Sequence, residues 1–403
     1  MSISSSVARS AGAHPAWHIS LLSLLVLSAC GGGSDDPASG SMRLSMTDTP
    51  ACGYDHIYVT VVSAKVHQSA TAVDSDSGWY SFSTPGLPKR IDLLALNNGV
   101  LEELGQTPLP AGNYTQLRLV LAANGNQAPF ANAVVVSGSA GVLPMERMLT
   151  TPSGQQSGLK LNVNLAVTPN QLADFVLDFN ACKSVVVAGN SGKVLLKPVM
   201  AVFPRVSTGF AVDGFVGNWT AQTAVSLQFN GVVVRSTVPD QNGHFVLPYL
   251  PSVGNGFDLV VSTPDRTTQV VTAVPVSGTT ITRVGSVATP ISLLASTSQA
   301  LTGTTSGVPI PDATLEVSQL VGIGKSVEVA ARRVDSETGG YSFSLPTAAS
   351  HTATYAAAPA GLTWSPYPAS AAQFTVRSVV PGLPTQTGAA DLSGGPMVLN
   401  FAY

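Results

Sequence analysis

In the segment Leu159-Lys160-Leu161-Asn162-Val163-Asn164-Leu165 every second residue is apolar and every residue between is polar. A period of two belongs to a strand with one face in a core and the other in water; a helix, repeating every 3.6 residues, cannot use it. Related patterns recur. Leu117, Leu119 and Leu121 alternate around Arg118, and Phe175, Leu177 and Phe179 straddle Asp178. Charged residues are only 10% of the 403, while 38 glycines and 28 prolines punctuate the chain, a text of strands and turns rather than helices. A hydrophobic content of 44% supplies cores and argues against disorder. The expected fold class is all-β, three β-sandwich-type domains in tandem.

The N-terminus reads differently. Residues 1–18 carry Arg9 as their only fixed charge, residues 19–27 form an apolar run, and Ser28 and Ala29 precede Cys30. This is the layout of a secretory signal. The run is too short to cross about 30 Å of hydrocarbon, which takes about 20 apolar residues, so residues 1–29 are expected to be cleaved. Leu27-Ser28-Ala29-Cys30 resembles the bacterial lipobox. The resemblance implies that Cys30 becomes the first residue, carries a diacylglyceryl group on sulfur and an acyl chain such as palmitate on nitrogen, and takes the lipid bilayer as partner. Each buried CH₂ contributes about 0.8 kcal/mol, so two or three chains hold where one is marginal. The alternative is ordinary cleavage that leaves Cys30 a free thiol. Gly31 rather than aspartate after Cys30 points to the outer membrane by analogy with lipoprotein sorting. Residues 30–41 have nothing apolar to bury beyond the lipid and read as a flexible tether.

Net charge is −3 and no basic run stands out, so nucleic acid is excluded as a partner. Two further cysteines, Cys52 and Cys182, would pair in an oxidising compartment and close a long loop, for which chain entropy gives about 4–5 kcal/mol. Two buried free thiols are the alternative. A metal site there lacks histidines at ligand spacing.

Residues 42–206 read as the first β domain. In residues 58–67, Val59 and Val61 share one face while Val62, Ala64 and Val66 share the other, a phase change expected from a β-bulge or from burial on both sides. Residues 91–96 and 100–104, around Asn97-Asn98-Gly99, are the one place where helical turns compete, over a span too short to set the fold. Residues 194–203 read as a last strand interrupted by Pro198, hence an edge or a bulge. Asp178 and Lys197 are expected to form a structural pair if their strands neighbour each other. Thr47-Asp48-Thr49-Pro50, Ile91-Asp92-Leu93-Leu94, Leu109-Pro110-Ala111-Gly112-Asn113-Tyr114, Gly158-Leu159-Lys160-Leu161, Asp178-Phe179-Asn180-Ala181 and Leu196-Lys197-Pro198 together resemble the bacterial family called domain of unknown function 4382. The resemblance implies a fold neighbourhood and a lipoprotein setting, with no activity attached. Asn180 stands where the family usually has an acid, which weakens acidic-pair chemistry there.

Beyond a junction at residues 206–209 the text repeats. Asp240-Gln241-Asn242-Gly243-His244-Phe245-Val246-Leu247-Pro248 is answered by residues 335–338 followed by Gly339-Gly340-Tyr341-Ser342-Phe343-Ser344-Leu345-Pro346. Val212-Asp213-Gly214 and Leu301-Thr302-Gly303 open the two copies. A repeat of about one sandwich length marks tandem modules, here 207–296 and 297–403. With Pro311-Asp312-Ala313-Thr314-Leu315 as the best match, they resemble carboxypeptidase-regulatory-like, or transthyretin-like, β-sandwiches. That resemblance implies spacers or binding units, some of which take glycans.

Candidate chemistry is sparse. His56, His67, His244 and His351 are scattered, without metal-ligand spacing. Asp74, Asp76 and Gly78 begin like a calcium loop but lack its later positions and read as a hairpin turn. No catalytic set, metal site or cofactor motif emerges, so the chain is expected not to be an enzyme. A hydrolase reading would need Asp48, Asp178 and a histidine in one cleft. Trp219, Tyr249, Trp364 and Tyr367 are the aromatics a sugar-binding face would use; packing in the sandwich cores is the alternative. The expectation is a membrane-anchored lipoprotein of the bacterial envelope with a non-catalytic binding or structural role. Its partner would be an envelope protein or a glycan, the latter making it a carbohydrate-binding lipoprotein.

Overall fold

A computed structural model describes residues 38–49, 53–83, 86–136, 145–151, 154, 157–205, 210–254, 256–307, 309–357 and 360–403, with the backbone alone at Thr49 and Cys182. Ala38–Tyr403 forms one compact unit. It is all-β, built of paired sheets in tandem. Among the described residues no helix is long and apolar enough to cross a membrane.

The first body starts from the strand Ser39–Thr49, which turns Met42, Leu44 and Met46 into a core that leaves them no solvent contact. This strand lies parallel to Leu172–Asn180 and antiparallel to Glu102–Pro110, and Met200–Pro204 completes the sheet beside Leu172–Asn180. A larger sheet faces it, running from Val185–Ala188 through Lys193–Leu196, Glu146–Thr150, Ala133–Val136, Tyr54–His67 and Gly112–Leu121 to Leu159–Val167. The phase change in Tyr54–His67 is a bulge. Its register against Gly112–Leu121 slips between Val61 and Ser63, so Val59 and Val61 before the slip and Ala64 and Val66 after it all reach the core, while Val62 is left exposed.

Pro198 does more than mark an edge. It separates Lys193–Leu196, in the larger sheet, from Met200–Pro204, in the smaller one. A residue without an N–H cannot continue a ladder, and the chain changes sheets there.

The two later bodies share one plan. In the middle body Val212–Gly217 is flanked by antiparallel His244–Leu247 and parallel Thr282–Val284 and Ile291–Ser292. In the last, Ser298–Ser306 is flanked in the same way by Gly340–Pro346, Met397–Val398 and Phe401–Ala402. The facing sheets run Val232–Thr237, Ala224–Phe229, Phe257–Ser262, Gln269–Val274 and Lys325–Arg333, Thr314–Gly322, Gln373–Val379, Gln386–Asp391. The glycine in each opening motif has a steric cause. A Cβ on Gly214 would stand 2.1 Å from the Val284 carbonyl oxygen, and one on Gly303 would stand 1.8 Å from that of Leu399.

One departure breaks the symmetry. Ser350–Thr354 and Ser365–Tyr367, although they fall in the 297–403 stretch, form a hairpin in the middle body's sheet, with Ser350–Thr354 parallel to Gln269–Val274. Tyr355, Leu362 and Trp364 pack against the middle body's core. The outer face of that sheet is covered as well: Val260 and Val270 meet Val321 and Val327 of the last body in a small apolar cluster of their own.

Candidate functional site

Among the described residues, one concave place lies in the first body and another at its border. The strands that carry Asp48 and Asp178 run side by side, and both carboxylates line a cavity at the contact with the middle body, together with Thr47, Asn98, Phe203, Arg235 and Tyr249. Asp48 Oδ1 accepts the Ala181 N–H at 3.1 Å. Arg235 lies 3.8 Å from Asp178, stacks 3.4 Å from the centre of the Phe203 ring, and donates to the Val234 carbonyl at 2.7 Å. Its Nε is buried without a hydrogen-bond partner. Burial pulls the Arg235 pKa below its ordinary value, and Asp178 opposes that. Asn98 ties the same junction: its Oδ1 accepts from Thr237 Oγ1 and from the Val246 N–H, each at 3.0 Å, and its Nδ2 donates to the Val238 carbonyl at 3.1 Å.

The cavity is about 20 Å³, the size of one water rather than of a substrate. The structure thus brings Asp48 and Asp178 together, with an arginine and no histidine among the described lining residues. The condition set for the Asp178–Lys197 pair is not met, because Leu172–Asn180 and Lys193–Leu196 lie in different sheets. Asp178 reaches Arg235 in the middle body, while Lys197 reaches Asp312 in the last body at 3.1 Å. Both acts of pairing cross between bodies, which residue spacing within residues 42–206 could not have revealed.

The larger space is a groove of about 720 Å³ along the open flank of the first sandwich, between the edge strands Leu159–Val167 and Met200–Pro204. Leu161, Val163, Leu165, Phe175, Met200 and Val202 are among its lining residues.

The remaining expected residues are dispersed. Trp219 and Trp364 are partly buried against the same middle core. Tyr249 sits at the Arg235 junction, its ring 5.9 Å from that of Phe203. Tyr367 lies in the edge strand Ser365–Tyr367. His56 Nδ1 is 2.7 Å from Asp92 Oδ2, His67 Nε2 is 2.9 Å from the Ser77 carbonyl, His244 is 3.6 Å from Asp213, and His351 lies in the strand Ser350–Thr354. Cys30 and Cys52 lie outside the described residues, as does the side chain of Cys182.

Asp74 of the calcium-like turn is held by Lys65 and Arg118. The hydrogen bond from Lys65 and its charge keep the Asp74 carboxyl below the usual range. Beside it Arg118 and Lys65 approach the Trp79 ring at 4.5 and 4.8 Å, a cation–aromatic cluster for which the sequence offered no signal beyond the residue types.

Residues 39–198 match the family described as Domain of unknown function (DUF4382). No curated protein matches the chain. Among solved structures, a cohesin–X-dockerin complex from Acetivibrio cellulolyticus aligns at 18% identity over 22% of this chain with a TM-score of 0.19, and this chain spans 59% of that one. A streptococcal ancillary pilin aligns at 7% identity over 90% of this chain and 98% of its own, TM-score 0.16. The major pilin SpaA of Corynebacterium diphtheriae aligns at 11% identity over 91% of this chain and 99% of its own, TM-score 0.18. Scores of this size leave both architecture and role to be argued from the chain itself.

Proposed function

We propose that this chain is a lipid-anchored envelope spacer: acylated Cys30 holds it on the outer membrane, and its β bodies, locked to one another, present a surface without catalysis. One observation carries the reading. The middle body is completed by a hairpin from the last, so the two share a sheet and a core and do not behave as beads on a string. Joints of this kind suit a part whose task is to hold a fixed shape at a distance from a bilayer. The Cys52–Cys182 disulfide belongs to the same proposal. Thr49 and Asn180, a few residues before the two cysteines, are direct partners on parallel strands, so the chain leaves both strands side by side.

The test has two arms. Metabolic labelling with an alkyne fatty acid should mark the wild-type chain in the membrane fraction, and Cys30→Ser should abolish both label and membrane retention; an unlabelled wild type discards the anchor. Hydrogen exchange should show the middle and last bodies opening as one cooperative unit. Independent opening discards the locked spacer.

A further inference from the structure

The strand Leu159–Val167 closes one end of the first body's larger sheet, and among the described residues only Gly112–Leu121 pairs with it. Its other edge therefore presents a row of backbone donors and acceptors beside the apolar groove. Edges of this length are normally blunted by charge or proline. The opposite wall of the groove is blunted in that way, with Pro198 just before Met200–Pro204 and Pro204 at its end. Lys325–Arg333, another edge strand of the same length, carries Lys325, Glu328, Arg332 and Arg333. Leu159–Val167 has no proline and one charge, Lys160.

The order of its residues is nearly symmetric. Around Val163 stand Asn162 and Asn164, then Leu161 and Leu165, then Lys160 and Ala166, then Leu159 and Val167. A two-fold axis through Val163 in an antiparallel pairing would therefore set Asn162 against Asn164, Leu161 against Leu165 and Lys160 against Ala166 of the second strand. Like meets like at the amides and the leucines, and the one cation meets no cation. A parallel pairing in register would oppose the two lysines. The burial alternation holds along the whole strand, leucines inward and Lys160, Asn162 and Asn164 exposed, even though its register against Gly112–Leu121 slips near the proposed axis.

We propose that this edge is the interface for a second copy of the same chain, joined by antiparallel pairing of Leu159–Val167 about Val163. The larger sheets of two molecules then run on as one, and the inward leucines of the second strand cover the mouth of the groove. The contact is isologous and closes on itself, so it makes a dimer and not a fibre. The energy comes from ladder hydrogen bonds and from the groove's apolar lining, and cross-strand pairs set the register.

Two double variants at exposed positions test this pairing and its register. Asn162→Lys with Asn164→Lys sets like charges opposite each other twice, whereas Asn162→Lys with Asn164→Asp sets opposite charges there twice. Sedimentation of the purified full chain should give a dimer for the wild type, a monomer with unchanged β circular dichroism for the first variant, and a dimer for the second. A wild type that stays monomeric at every soluble concentration overturns the proposal and leaves the edge to a different partner. A dimer indifferent to the paired lysines, or one lost equally in both variants, overturns it too.

Discussion

The middle and last bodies are two copies of one plan, yet the sheet of one is extended by its neighbour's hairpin and the sheet of the other ends on its own strands. Nine residues, 248–256, join His244–Leu247 to Phe257–Ser262 in the middle copy. The corresponding stretch of the last copy, between Gly340–Pro346 and Gln373–Val379, holds the hairpin that leaves its own body and pairs with Gln269–Val274. The sheet faces differ in step. Val260, opposite Ser226, is fully buried under the last body, while Arg377, at the matching place opposite Glu316, is exposed and ion-paired with it at 3.1 Å. The outward-facing residue thus announces what lies over the sheet: valine where a neighbour sits, arginine where solvent does. Both copies even slip register at the same place, after Leu227 and after Val317, which shows that the difference was added to a common frame.

The largest effect comes from exchanging those two side chains. Val260→Arg drives a charge into a closed apolar cluster and should cost about 3–5 kcal/mol, the scale of an uncompensated buried charge. Arg377→Val removes an exposed pair and should cost at most about 1 kcal/mol. Urea denaturation of each variant measures both. Similar costs would mean that the two faces are not in fact different environments.

Trp364→Ala comes next. Its indole leaves one body to pack against another, and because it is only partly buried the loss should be about 2–3 kcal/mol, below the range for a fully enclosed aromatic. The loss should appear as faster hydrogen exchange in Gln269–Val274 and in Gln386–Asp391 alike, as one cooperative unit requires. Protection that falls in Gln269–Val274 alone would sink the idea that the hairpin locks the two copies together.

Much of this was legible in the letters, and what was not has a physical reason. Alternation fixes which face of a strand is wet, so Leu159–Val167 and the bulge after Val61 could be read directly. The repeat from Asp240 to Pro248 and from Asp335 to Pro346 could be read because a turn needs its glycine and a core its aromatic. Strand partners are another matter. Backbone hydrogen bonds carry no residue code, so nothing in Ser350–Thr354 says that it pairs with a strand some eighty residues earlier and not with its own copy. The site residues are open in the same way. Trp364 looks alike as a core residue and as a ligand platform, and the sequence around Asp48 and Asp178 holds no sign that Arg235 of another body lies beside them.

The paired turns give a smaller contrast. Asp240 Oδ1 accepts the N–H groups of Asn242 at 2.8 Å and His244 at 2.9 Å, all within its own copy. Asp335 Oδ1 accepts those of Glu337 and Thr338, and Oδ2 of the same carboxylate faces Gly189 of the first body. Burial pushes the Asp335 carboxyl up, but the N–H groups of Glu337, Thr338 and Gly189 together outweigh it and hold the group below the usual range. A carboxyl depressed on folding stabilises above its unfolded value, and the contribution disappears as pH falls through the folded one. Asp335→Ala should therefore cost about 1 kcal/mol at neutral pH, and should flatten the loss of stability in acid. Asp240→Ala should cost less, because it severs no link to another body. Equal costs would show that the Gly189 contact contributes nothing.

The smallest effect tests whether the last copy's charged face carries a penalty that the middle copy avoids. Glu328 stands opposite Ser318 just after the register slip, where the middle copy has Val233 opposite Gln228. Burial raises the Glu328 carboxyl above the ordinary glutamate range; Lys183 of the first body, 3.5 Å away, opposes the shift and Glu316 adds to it. The folded chain then takes up a proton at a higher pH than the unfolded chain does. Stability should rise as pH falls from the raised value toward the ordinary one, and should stop rising below that. Glu328→Gln keeps the shape and removes the charge, so it should erase this slope and give a slight gain in stability at neutral pH. Midpoints of urea denaturation measured across that pH window decide it. A slope that survives the substitution, or a variant weaker at neutral pH, would mean that Lys183 needs Glu328 charged, and that the ionic face holds the last copy to the first body instead of weakening it.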